Sequence, residues 1–185
     1  HGPTEVPAAL IAACERLCST TPPSLVSVRD IAAEAGVTLG LIHHYYESKD
    51  ALVAATLRSI ATDIDRVATD ALASTGDRGE MVRAVWQMLQ ERPAFPYIVT
   101  WWLLDGRNVT EAMGDHPFLR RLVGSLGGAE DADGATLAGV VIAQILGGTV
   151  LRVGINRALG RPIDDRALID RMESVVVDTV DANSR

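Results

Sequence analysis

Apolar residues recur at helical spacing along most of this chain. Val6, Leu10, Cys14, Leu17 and Cys18 form one stripe, which predicts a first helix. After Pro22 and Pro23 a shorter helix is signalled by Ser27 as N-cap. Asp30 stands three residues on to complete a capping box, and Val26 and Ile31 are placed as a hydrophobic staple. Ile31, Ala32 and Ala35 give its apolar stripe, and Gly36 stands where a left-handed residue would end it. Thr38 is placed to cap a further short helix. In that helix Ile42 and Tyr46 share one face, while Leu39 with His43, and Gly40 with His44, lie on the opposite side. Ser48 then opens a long helix to about Ser74, stopping near Gly76 and carrying Leu52, Leu57, Ile60, Ile64, Val67, Ala68 and Leu72. At 1.5 Å per residue it spans roughly 40 Å.

Beyond it the pattern predicts helices over about Gly79–Glu91, from Pro96 to about Glu111, and from Pro117 to Ser125. A glycine-rich, acidic loop from Gly124 to Gly134 follows, then long helices over about Ala135–Ala158 and Asp164–Asp181. Gly139, Ala143, Gly147, Gly148 and Gly154 make one strip of the first of these two small, open to close approach by another helix. Both are apolar on more than one side and need more cover than one subunit provides. The expected fold class is all-α. The expected division is a helix-turn-helix domain over residues 1–48 and a helical domain over residues 49–185.

The helix after Thr38 displays a face that no core wants. Gly40 costs about 1 kcal/mol against alanine in a helix, yet it removes the side chain that would hold a neighbouring molecule away. Lys49 is the only lysine among 17 basic residues, and it sits in a first helical turn, where a cation opposes the helix dipole. An external anion such as a DNA phosphate gives it a reason to be there. The run V-R-D-I-A-A-E-A-G-V-T-L-G-L-I-H-H-Y-Y-E-S-K-D-A-L, Val28 to Leu52, resembles the TetR family of bacterial transcriptional regulators in order and spacing. The resemblance implies that Thr38, Tyr45 and Lys49 contact phosphate. It also implies that Leu39, Gly40, Leu41, His43 and His44 face the major groove, and that Arg29 reaches a base or phosphate from the preceding helix. His43 departs from the pattern, since the family most often has tyrosine there. The resemblance further implies a homodimer formed through the last two helices, set on a double-stranded, palindromic operator.

Charge tempers this picture. The chain carries a formal charge of −7, which argues against indiscriminate nucleic-acid binding. Between Ser27 and Asp50, Arg29 and Lys49 stand against Asp30, Glu34, Glu47 and Asp50, a local net of −2. Phosphate binding would then lean on helix-start amides, the tyrosine hydroxyl and the paired histidines. A start at His1–Gly2, without methionine or a basic arm, reads as a tag remnant or a truncated beginning. No signal peptide or membrane span is visible, so a cytoplasmic protein is expected. Cys14 and Cys18 lie on the core stripe and read as small buried residues. His43 and His44 diverge on their helix and make a poor metal pair, so no metal site and no cofactor are expected.

Six of the eight aromatic residues, Trp86, Phe95, Tyr97, Trp101, Trp102 and Phe118, fall in one stretch. With Asp105 and neighbouring polar groups they suit the lining of a pocket for a small apolar or aromatic effector. The bland alternative is that they fill a core. The composite expectation is a ligand-responsive DNA-binding regulator, acting as a repressor. The rival is an all-helical small-molecule-binding protein without DNA binding. An enzyme would need a coupled acid and base, and the spacing of Asp105 and His116, the nearby candidates, gives no sign of coupling.

Overall fold

The computed structural model describes residues 5–114 and separate positions between 139 and 178, all of it without a strand. Over described residues 5–114 seven helices run in order: α1 (Glu5–Cys18), α2 (Val28–Ala35), α3 (Leu39–Tyr45), α4 (Lys49–Thr75), α5 (Arg78–Glu91), α6 (Ala94–Leu104) and α7 (Val109–Met113). The protein is all-α. The first five helices fall where the periodicity puts them, because each boundary is written in local chemistry. Gly36, at φ 67°, closes α2 with two backbone bonds, Gly36 N–H to Ala33 O and Val37 N–H to Ala32 O. The Asp77 carboxylate accepts from the amides of Gly79 and Glu80 and so starts α5.

The predicted helix from Pro96 to Glu111 needs correction at both ends. Helix α6 begins at Ala94, with Pro96 inside its first turn, where a missing N–H breaks no helical bond. It ends at Leu104 because Gly106 takes φ 69°, with Gly106 N–H bonded to Leu103 O and Arg107 N–H to Trp102 O. This is the closure seen at Gly36. Asn108 then caps α7 through its side-chain oxygen, which accepts from the Glu111 amide at 3.1 Å. The helix predicted over Pro117–Ser125 and the loop over 124–134 lie outside the described residues. The described positions at 139–150 and 167–178 are helical, and the rest of those two predicted helices, with their proposed pairing, lies outside as well.

The chain divides into two compact units, His1–Thr62 with Arg92–Asp115, and Asp63–Glu91 with His116–Arg185. In this division the first part of α4, together with α6 and α7, groups with the helix-turn-helix. In the first unit α1 packs against α2, α3 and α6. Its core includes Val6, Leu10, Cys14, Cys18, Val26, Ile31, Ile42, Leu52, Leu57, Ile60, Ile98 and Trp102, all buried. Cys14 and Cys18 are free thiols in that core, as their stripe predicts. In the second unit Ile64 and Ala68 of α4, and Met81, Val82, Val85, Trp86 and Leu89 of α5, are buried at helical spacing.

Candidate nucleic-acid interface

The turn that aims α3 is built from short-range bonds. At the start of α2 the Asp30 amide donates to Ser27 Oγ at 3.1 Å, and the Ser27 amide donates to Asp30 Oδ2 at 2.9 Å, the reciprocal pair the sequence predicts. Accepting from the Ser27 side chain and amide holds the Asp30 carboxyl below its ordinary range. Arg16 of α1 pairs with Glu34 at 2.6 Å on the outer side of α2. Gly36 and Val37 reverse the chain, and α3 begins.

Helix α3 is held loosely by its own contacts. It is seven residues long, and Ile42 is its one buried residue, 1% exposed. Thr38 has the extended backbone of an N-cap, but its hydroxyl makes no capping bond, so it takes the expected position without the expected bond. Thr38, Gly40, His43 and His44 are exposed, and Leu39, Leu41 and Tyr45 are half-buried. A methyl built at Gly40 would meet nothing of the protein within 4 Å, so internal packing does not call for glycine there. The His44 and Tyr45 rings meet edge to face, 4.9 Å between centroids. Tyr46 ends α3 through its amide bond to Ile42 O, and burial pushes its phenol above the usual tyrosine value. Arg29 stands exposed on α2. Eight of the nine residues expected to meet DNA thus share this short stretch with at least part of each side chain open to solvent.

Lys49 is the ninth, and the structure gives its ammonium another task. It donates to the carbonyls of Pro23 at 3.0 Å and Val26 at 3.1 Å, tying the first turn of α4 to the α1–α2 connection. The helix dipole opposes a cation there, and two inward carbonyls offset that opposition without an external anion. The adjacent Asp50 carboxylate pairs with Arg107 at 2.7 Å, and Ser48 Oγ accepts from the Ala51 amide. Arg107 also lies over the Trp102 ring at 5.5 Å and 3.7 Å from Asp105, and its bond to Asp50 holds its guanidinium more firmly protonated than usual.

The seven residues expected to line one effector pocket are not gathered in one unit. Phe95, Tyr97, Trp101, Trp102 and Asp105 belong to the first unit and Trp86 to the second, while Phe118 lies outside the described residues. Trp101, Trp102 and Asp105 do share a cleft of about 270 Å³ with Pro23, Ser24, Lys49, Asp50, Val53 and Arg107. Sequence reasoning did not find the ion pairs that fasten Arg92–Asp115 to the head: Glu15 with Arg92, and Asp50 with Arg107. The bond from Arg58 to the Ala112 carbonyl was equally hidden. The D-G step at Asp105–Gly106 was the available clue to the bend that makes the second pair possible.

The family described as bacterial regulatory proteins, tetR family, is matched over residues 10–56, which runs from α1 into α4 and encloses the whole helix-turn-helix. Residues 10–56 thus match the tetR-family helix-turn-helix segment. Two curated relatives are similar over part of the chain. The HTH-type transcriptional regulator BetI of Agrobacterium fabrum is 39% identical over 79 residues, 42% of this chain and 38% of BetI. The HTH-type transcriptional repressor Rv3405c of Mycobacterium tuberculosis is 38% identical over 66 residues, 36% of this chain and 35% of the relative. The matches therefore span less than two fifths of those relatives. Solved structures extend the likeness in fold. A TetR-family transcriptional regulator from Streptomyces coelicolor superposes with a TM-score of 0.70 at 21% identity, over 98% of this chain and 97% of the other. A transcriptional regulator from Pseudomonas aeruginosa PAO1 gives 0.62 at 26% identity, over 100% and 94%.

Proposed function

We propose that this protein is a tetR-family DNA-binding transcriptional regulator that acts as a homodimer on a palindromic operator. We propose further that it is a repressor released by a small apolar or aromatic effector. The observation that carries the DNA reading is α3 itself. Its exposed side, Thr38, Leu39, Gly40, Leu41, His43 and His44, has little to do for the fold, and Gly40 lets a surface come close. Arg29 and Tyr45 flank it as phosphate contacts, and Lys49 fixes the frame from behind. With a reading face this poor in charge, base contact is apolar or through imidazole, for instance Leu39 or Leu41 against a thymine methyl, and DNA shape carries much of the specificity. Two heads in a two-fold dimer would enter successive major grooves about 34 to 36 Å apart.

The effector reading is supported by a buried donor: the Trp86 indole N–H is 1% exposed and has no hydrogen-bond partner among the described residues. Such a group in a native fold asks for a water or a ligand acceptor. Release then follows if the effector binds one of two states better and shifts the population from the DNA-competent one. Fluorescence anisotropy of the full chain with DNA from upstream of its own gene, backed by a genomic selection, is the test. Specific, salt-sensitive binding is expected, and its absence in both overturns the DNA reading in favour of a helical ligand-binding protein.

A further inference from the structure

A recognition helix must be aimed as well as exposed, and α3 has few means of aiming itself. It is seven residues long, buries one side chain, Ile42, and lacks a side-chain bond at its N-cap. Beside its packing on α1 and α2, its orientation is set at its two ends. The N-terminal end hangs from α2 through the closure at Gly36. The C-terminal end reaches α4 after only three residues, Tyr46 to Ser48, so the first turn of α4 sets where α3 exits.

That first turn is pinned from two sides. Lys49 is bonded to the Pro23 and Val26 carbonyls, and Asp50 is paired with Arg107 at 2.7 Å. The second pin comes from a residue 57 positions further along the chain. Arg107 is not a long side chain caught at random on a surface. Its own amide closes α6 on the Trp102 carbonyl at 2.9 Å, its guanidinium lies over the Trp102 ring, and Trp102 is buried. Asp105 flanks it at 3.7 Å. The side chain is thus largely ordered before it meets Asp50, and little entropy is lost in making the pair.

We infer that Arg107 is a positioning residue for DNA recognition, holding α3 in its reading orientation through Asp50 and the first turn of α4. The inference rests on the DNA-binding reading for its consequence but not for its geometry, and the experiment separates the two. Full-length Arg107→Ala is compared with wild type, with Arg107→Lys and with the charge swap Asp50→Arg/Arg107→Asp. One measurement is operator anisotropy across a salt series, and the other is amide hydrogen exchange of the free protein.

The alanine variant is expected to lose about three- to tenfold in operator affinity with the salt slope unchanged, and to exchange faster across Leu39–Tyr45. Lysine keeps a cation opposite Asp50 but cannot lie flat on the indole, so it is expected to recover part of both, and the swap, which sets a carboxylate beside Asp105, to recover less. A salt slope that falls by about one assigns Arg107 to phosphate and overturns the inference. Exchange in α3 that matches wild type overturns it as well. If wild type binds no operator, the regulator reading fails, while the exchange measurement still decides whether Arg107 aims α3.

Discussion

The face of α3 and the side of the same head that meets Arg92–Asp115 make opposite use of side chains. On α3, two histidines, a threonine and a glycine are left to solvent, and a single buried isoleucine holds the helix. On the other side, Arg92, Arg107 and Arg58 are each engaged: Arg92 with Glu15 at 2.6 Å, Arg107 with Asp50 at 2.7 Å, and Arg58 with the Ala112 carbonyl at 2.9 Å. The cations of this head are spent largely on internal architecture. On the proposed reading this accounts for a local net charge of −2 beside a DNA-reading surface: two of the four acids, Glu34 and Asp50, answer Arg16 and Arg107 of the same unit, and α3 itself carries no carboxylate. Rigidity on one side is what lets the other side stay open.

The comparison breaks most severely at Ile42. Replacing it with alanine removes the one buried anchor of α3, and a loss of about 3 kcal/mol in unfolding free energy is expected by urea denaturation. Operator binding should disappear with it, because α3 then has no fixed pose. Full stability in Ile42→Ala would mean that the helix is held by something other than its core contact.

The two α1 ion pairs give the next contrast. Arg92 grips Glu15 through two nitrogens, at 2.6 Å each, with side chains only 23% and 18% exposed, whereas Arg16 and Glu34 are 56% and 40% exposed. Arg92→Ala leaves a half-buried carboxylate without its fork and should cost about 2 kcal/mol. Arg16→Ala should stay within about 0.5 kcal/mol. Equal effects in the same denaturation experiment would show that burial does not separate the two sides of the head.

Lys49 sharpens the comparison at the seam between the two regions. With its ammonium on two loop carbonyls, Lys49→Ala should lower stability by about 1 kcal/mol and weaken operator binding without changing the salt slope. A slope reduced by about one would return it to the phosphate-contacting side.

The difference between these regions also marks what could be read from the chain. Helices α2 and α3 were legible nearly to the residue, since Ser27, Asp30 and Gly36 act on neighbours within a few positions. Helix α4 was legible from its apolar period and its flanking Ser48 and Gly76. The break after Leu104 was missed because the apolar run from Phe95 to Leu104 overrode the weaker turn signal of Asp105–Gly106. The role of Lys49 was hidden for a different reason. Its partners are backbone carbonyls more than 20 residues away, and carbonyls have no sequence signature. Arg107 and Asp50 stand 57 positions apart, so only the tertiary fold could pair them. Local bonds write themselves into sequence; the fastening of one segment to another does not.

Asp30 offers the mildest probe, at the point where fold and reading face meet. Its carboxyl is held below the ordinary carboxylate range in the folded protein by the Ser27 hydroxyl and amide, and nothing comparable holds it in the unfolded chain. The folded state therefore binds a proton there less readily than the unfolded state. The stabilisation is fully present above the unfolded value and is lost as pH falls through the lowered folded one. At neutral pH the capping box should be intact, and acid should loosen the start of α2 before α4 is disturbed. Asp30→Asn keeps an acceptor for the Ser27 amide but cannot titrate, so it should flatten this limb of the stability–pH curve while leaving the neutral plateau nearly in place. An Asp30→Asn curve that falls in acid as steeply as wild type would show that the capping carboxylate does not set this limb.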